Sequence, residues 1–461
     1  MEKRLDLTEG PITSTLIKLS LPIMGTSFIQ MAYNLIDMMW VGKLGSNAVA
    51  AVGTAGFYPW LAMALIVISR IGGEIKVAQS IGEKNISLTK SYIQSAIEIN
   101  LISSLSYMLF LFLLNNQLIA IFNLGDNEVI KLSQDYLYII AVGMIAYFIN
   151  PVFTSIFNGL GDSKTPFKIN TIGLVTNIVL DPLLIFGVGP IPKLGVSGAA
   201  IATVVAQVVV TICFLFIIFK SKNDYFKIRL FKNINFSCYK ELYKLGIPVA
   251  LQNGLFTLFS MAIGIIVASF GPVAIAVQKV GSQIESISWM SADGFAVALS
   301  SFVGQNYGAQ KIDRINKGCK AGFIIAFIWG IITTIILVFA GEAIFKLFID
   351  ETEAITQGGV YLKILGYSQL FMCIEIITSG AFKGLGRTAI PSFISIILTG
   401  ARIPMAYLLS KPSLLGLDGI WWSVSLSSVF KGIFLISIFI FLYKSKKLYK
   451  DLHSETTIVS E

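Results

Sequence analysis

The chain has 461 residues, 55% of them hydrophobic and 13% charged, with a mean hydropathy of +0.77. That is more apolar surface than a soluble globular protein of this length can bury, so soluble enzyme and binding-module classes are excluded. The net charge of +9 does not indicate nucleic acid, because the basic residues cluster between apolar runs.

Crossing a hydrocarbon core takes about 20 helical residues. Twelve runs meet that length, at 14–41, 48–80, 91–114, 133–158, 167–188, 194–219, 243–269, 275–303, 318–340, 358–383, 391–410 and 415–443. Met1 to Pro11 is charged and lacks an apolar core followed by a small-residue cleavage site, so the first span is expected to serve as its own targeting signal. Lys164 and Lys168 occupy one connection, seven Lys and Arg residues between Lys220 and Lys244 another, and Lys444, Lys446, Lys447 and Lys450 the tail. By helix count all three lie on one side. The opposite connections carry Asp126, Glu128, Glu342, Asp350, Glu351 and Glu353. The positive-inside rule then predicts a plasma (inner) membrane protein with both termini cytoplasmic. Cys213, Cys238, Cys319 and Cys373 are widely spaced and the single histidine, His453, lies in the polar tail, so no metal or disulfide framework is legible.

Self-comparison exposes a duplication. Leu19, Pro22, Gly45, Gln79 and Gly82 correspond to Leu245, Pro248, Gly271, Gln305 and Gly308 at an offset of 226 (248 minus 22). Phe157 to Asp162 with Pro166 matches Phe382 to Arg387 with Pro391 at 225, and Leu194 to Gly198 matches Leu415 to Gly419 at 221. The expected fold is therefore all-α, with twelve transmembrane helices in two parallel six-helix repeats around a central cleft. Lobes at 1–219 and 243–443 would be joined by a basic cytoplasmic linker, 220–242, and followed by a cytoplasmic tail, 444–461. An even helix number makes both repeats enter from the same side, and rocking about the cleft would give alternating access.

The two halves differ in polarity. Asp37 pairs with Ile263, Gln30 with Phe256, Asn177 with Arg402, Asp181 with Ala406 and Thr203 with Val424. Asp37, Asp181 and Thr203 each fall roughly 7 to 14 Å below the outer ends of their helices at about 1.5 Å per residue. Asn177 and Asp181 share one helical face, as do Ala199 and Thr203. Oxygen ligands of this kind suit a hard cation such as Na⁺, with a carbonyl near Pro182 or at Ala199 assisting. Neighbouring carboxylates removed from water also resist being charged together, so H⁺ can take the cation's place. The plainer alternatives are a helix kink capped by Asp181 and an interhelical hydrogen bond at Asp37.

Pro22-Ile-Met-Gly, Gln30-Met-Ala-Tyr33-Asn-Leu-Ile-Asp37, Gly161-Asp162-Ser-Lys-Thr-Pro166, Asn177-Ile-Val-Leu-Asp181-Pro182 and Gly304-Gln305-Asn306-Tyr-Gly308-Ala309 resemble the recurrent segments of the multidrug and toxic compound extrusion (MATE) family over about residues 10–445. The resemblance implies cation-driven export of amphipathic, often cationic drugs by two six-helix lobes, and hence a drug-resistance role. In the subgroup with its ion site in the N-terminal lobe, Asp37, Asn177, Asp181 and Thr203 would bind the coupling ion, Na⁺ or H⁺, with the Ala199 carbonyl assisting. Another subgroup's C-lobe acids fall here near the apolar Phe256 and Met372 and are not carried over. Gln30, Tyr33, Asn150, Asn158, Glu285, Asp293 and Glu375 are candidate cleft residues, each with helix–helix hydrogen bonding as its alternative, and Pro22 is a candidate hinge.

No cofactor beyond the coupling ion is expected, and the expected partners are amphipathic drug-like molecules and membrane lipid, for a monomer without nucleic acid. The rival reading is a lipid-linked precursor flippase of related two-lobe architecture, which would need extra helices or a conspicuously cationic cleft. An intramembrane enzyme lacks any membrane-level histidine or metal-ligand spacing, and the Gly-x4-Gly-Lys-Ser/Thr signature of ATP-driven export is absent.

Overall fold

The computed structural model describes residues 5–190, 192–221, 223–232 and 234–449; Lys222, Lys450, His453 and the rest of the tail lie outside the described residues. The described chain is helical throughout: α1 (Ile12–Gly42), α2 (Ser46–Gly82), α3 (Ile86–Ala120), α4 (Asn127–Gly159), α5 (Lys164–Phe186), α6 (Gly195–Lys220), α7 (Phe236–Ala268), α8 (Pro272–Gly308), α9 (Ile312–Phe345), α10 (Thr352–Gly366), α11 (Gln369–Gly384), α12 (Ala389–Gly400), α13 (Arg402–Leu409) and α14 (Leu417–Lys444).

Ten spans among the described residues are long and apolar enough to cross a membrane, counting α12 with α13 as one, and α10 with α11, bent by 50°, makes an eleventh. The twelfth expected span, α8, is 37 residues long but carries Lys279, Glu285 and Asp293, which lower its hydropathy. Hydropathy predicts one continuous span over 358–383. The break at Tyr367 and Ser368 divides it instead into α10 and α11. The α12–α13 span carries Pro404, which has no N–H for the Gly400 carbonyl, yet it remains a single span.

The duplication reaches down to backbone geometry. Gly45 and its counterpart Gly271 have φ of 106° and 97°, and Gly161 and Gly386 have 82° and 74°, conformations that admit glycine without a Cβ clash. A Cβ at Gly198 would strike the Leu184 backbone, and one at its counterpart Gly419 would strike the Leu409 backbone. The Leu194 and Leu415 amides likewise donate to the Leu184 and Leu409 carbonyls at 3.0 and 3.2 Å. Each repeat thus closes its fifth and sixth spans by the same contact.

The chain forms two compact units, one comprising Met1–Asp6 with Lys18–Ala250 and the other Leu7–Ile17 with Leu251–Glu461. In the first, the basic connection is docked. Tyr92 and Lys76 reach Glu241 at 2.6 Å each, Gln94 donates to the Lys232 carbonyl at 2.8 Å, and Glu98 accepts from the Phe231 amide at 2.6 Å. Tyr225 and Phe226 are buried, Phe226 against Phe157. Aromatic residues in an otherwise basic stretch anchor it, which charge alone does not reveal. In the second unit, Arg314 donates to the carbonyls of Leu7, Glu9 and Gly10, Lys311 to that of Thr8, and Asn306 to that of Leu7. The unit assignment changes along α1 one turn before Pro22, and along α7 just after Pro248.

Gly246 lies against the Ile68 backbone with no room for a Cβ. Gly246→Val is expected to cost about 2 kcal/mol, the usual scale for overpacking a close contact. Thermal melting of the detergent-solubilised protein checks this, and an unchanged melting temperature would count against the packing.

Candidate functional site

The polar cluster of the first unit is built on three helices. The buried face of α5 runs Ile169, Gly173, Asn177, Asp181 and Ile185, one residue per helical turn. It packs on α6, whose buried face is Ala199, Ala202, Ala206 and Val210. Small side chains let the two backbones approach, Gly173 meeting Val210 and Gly198 meeting Leu184. Asn177 and Asp181 are consequently fully buried, and the Asn177 amide donates to Asp181 Oδ1 at 3.0 Å.

Asp37 on α1 and Thr203 on α6 complete the group. Tyr33, one turn before Asp37, donates to the Thr203 backbone carbonyl at 3.4 Å and feels the charges of both Asp37 and Asp181. The two carboxylates in turn feel one another. After these hydrogen bonds, one buried oxygen on each of the four residues has no protein partner: Asp37 Oδ1, Asn177 Oδ1, Asp181 Oδ2 and Thr203 Oγ1. Buried polar atoms are ordinarily satisfied, so four unpartnered oxygens on these residues make the cluster a candidate site for a cation or for protons. Pro182 also lacks an N–H for the Ile178 carbonyl, while α6 is unbroken at Ala199.

The other candidates separate. Tyr33 joins this polar cluster. Asn150 donates to the Gln207 carbonyl and side chain at 2.9 and 2.8 Å and accepts from Thr211 at 2.8 Å, which ties α4 to α6. Asn158 is buried with an unpartnered Oδ1, and Gln30 is exposed. In the second unit, Glu285 accepts from Gln369 at 3.1 Å and Glu375 pairs with Lys431 at 2.9 Å, while Asp293 lies half-buried about two turns beyond Glu285 on α8.

Sequence reasoning passed over two residues. Tyr136 on α4 is buried within electrostatic reach of Asp37 and Asp181, and Lys431 on α14 is a buried lysine. Pairing by repeat offset marks the first as shared by both repeats, because Tyr136 corresponds to Tyr361 at the same offset of 225 (361 minus 136). Lys431 lies near the middle of the 415–443 run, where an ionisable residue is itself a signal.

The MatE family pattern matches residues 22–183 and again residues 248–408. The chain belongs to the MatE family. Its two matches begin 226 residues apart (248 minus 22), the offset found by self-comparison. The chain is 28% identical over 433 residues to "Probable multidrug resistance protein NorM" of Thermotoga maritima, covering 93% of this chain and 92% of that one. It is 27% identical to "Probable multidrug resistance protein YoeA" of Bacillus subtilis, covering 93% of each. Among solved structures, "Crystal structure of MATE in the bent conformation" superposes with a TM-score of 0.87 at 23% identity, over 98% of this chain and 100% of that one, a likeness of fold. This is a multi-pass membrane transporter with the two-lobe fold of the MatE family.

Because Arg402 stands where the first repeat has Asn177, and bonds Ser427 and Ser428, Ala406→Asp cannot recreate the cluster in the second unit. Ala406→Asp is expected not to restore gradient-driven ethidium efflux to an Asp181→Asn variant in proteoliposomes. Restored efflux would show the two repeats to be interchangeable.

Proposed function

We propose that the protein is a cation-coupled multidrug efflux antiporter of the plasma membrane, exporting amphipathic, often cationic compounds by alternating access. The outward-facing form takes up Na⁺ or H⁺ at Asp37 and Asp181, releases drug, and returns inward to reload. Coupling needs only that ion and drug favour different states or compete, since a ligand with equal affinity for both states shifts nothing. The carrying observation is the set of four buried oxygens without protein partners on Asp37, Asn177, Asp181 and Thr203. Family membership and the multidrug resistance names of its relatives support the drug class.

The donor chemistry supports Na⁺ over H⁺. A proton needs one carboxylate, whereas Na⁺ must replace most of its water shell with protein oxygens. Asn177 and Thr203 contribute oxygens that cannot titrate near neutral pH. Protons still compete for the same carboxylates, so lowering the pH weakens a sodium effect.

Three outcomes follow in ethidium-loaded proteoliposomes under separately imposed sodium and proton gradients. Asp37→Asn reaches the membrane at normal levels and loses gradient-driven efflux; full transport by this variant would sink the site. Thr203→Val weakens sodium coupling by about tenfold, the value of one lost oxygen ligand, while sparing proton-driven flux. Efflux that never depends on sodium would make the cluster a proton switch.

A further inference from the structure

Among the described residues of the second unit, four charged side chains at membrane depth lie within electrostatic reach of one another, Glu285 on α8, Glu375 on α11, Arg402 on α13 and Lys431 on α14, and Asp293 lies half-buried about two turns beyond Glu285. The counterparts of the four in the first repeat are Pro59, Asn150, Asn177 and Val210, so the shared fold does not require them. Charges this deep are costly and are kept where they pair or serve a pathway.

Three of the four have a compensating group. Lys431 and Glu375 form a 2.9 Å ion pair with side chains only 9% and 12% exposed. Glu285 accepts from the side-chain amide of Gln369, the first residue of α11, at 3.1 Å. Gln369 in turn accepts from Ser288 at 2.8 Å, which fixes its amide toward Glu285. Arg402 is different. Its guanidinium donates to two neutral hydroxyls, Ser427 and, at 3.0 Å, Ser428. Glu285 and Glu375 lie within electrostatic reach of it, yet neither is its hydrogen-bond partner among the described residues. A guanidinium is planar and forked, matched to carboxylate and phosphate, and neutral hydroxyls leave its charge unspent.

The helix that supplies Glu375 is interrupted close by: Gln369 directly follows the 50° bend between α10 and α11, whereas α12 and α13, which carry Arg402, form one span with Pro404 two residues beyond it. The equivalent α4 of the first unit runs without a break. Interrupted helices at membrane depth persist where they line a site rather than lipid.

We propose that this cluster is a subsite for an acidic group, carboxylate or phosphate, on an amphipathic solute, with Arg402 as its direct ligand and Lys431 as the second positive charge. It deepens the transport reading and rests on it, but not on the identity of the coupling ion. The solute's acidic group meets Arg402 and the serine hydroxyls, and Glu375 keeps Lys431 from standing unpaired when no solute is bound. The two units would thus divide the work by charge, the first handling cations through oxygens and the second acidic groups through a guanidinium.

The test is equilibrium titration calorimetry on the full chain in phosphatidylcholine nanodiscs, with octyl phosphate and octyltrimethylammonium as probes of equal tail and opposite charge. Wild type is expected to bind octyl phosphate about tenfold more tightly, the scale of one charge-assisted pair, and Arg402→Gln to bring the ratio to about one. Arg402→Lys should keep part of the preference, because the charge remains and the fork is lost. A wild-type ratio near one, or a full preference in Arg402→Gln, overturns the proposal. Should Arg402→Gln not fold, the wild-type ratio decides alone. A preference that survives in phosphatidylglycerol discs assigns the subsite to a free solute, and one that disappears there assigns it to an acidic lipid headgroup. No gradient enters the measurement, so a failure of ion coupling leaves the result untouched.

Discussion

Hydrocarbon offers no hydrogen bonds, so each polar group on a membrane helix must find a partner within the protein or be held for a ligand. That constraint acts on both repeats here, and they answer it differently. The first leaves four oxygens on Asp37, Asn177, Asp181 and Thr203 without protein donors. The second fills the corresponding region with its own cations, Arg402 and Lys431, set against Glu285 and Glu375. The same duplicated scaffold thus carries unpartnered oxygens in one repeat and paired charges in the other.

The scaffold itself is kept nearly constant by small residues. Gly198 with Leu184 and Gly419 with Leu409 are one contact made twice, as are Gly159 with the Glu74 carbonyl and Gly384 with the Ser300 carbonyl. Without a hydrophobic drive between helices in lipid, close backbone approach supplies dispersion contacts instead. The same approach sets the depth of Asn177 and Asp181 against α6. Packing and chemistry therefore share the α5 to α6 face, and a change in one disturbs the other.

One helix interruption marks where that economy is broken. The 50° bend before Gln369 has no counterpart in α4. It adjoins Gln369, whose amide bonds Glu285 on another helix, and has Gly366 beside it, a residue that weakens a helix.

The all-helical, duplicated, membrane-spanning fold was determined by the sequence alone, because helix length in lipid and a repeated Gly and Pro pattern are properties of the linear chain. The asymmetry at Asp37, Asn177, Asp181 and Thr203 was legible for the same reason, since aligned halves expose what only one of them carries. Partnering was not. That Asn150 is spent on Gln207 and Thr211, that Tyr33 turns to the Thr203 carbonyl, and that the basic connection docks through Tyr225 and Phe226 depend on which faces meet. The tertiary structure alone decided that Glu375 meets Lys431 while Arg402 donates to Ser427 and Ser428, because a hydrogen bond between helices far apart in sequence is fixed by rotation and depth, which hydropathy does not encode.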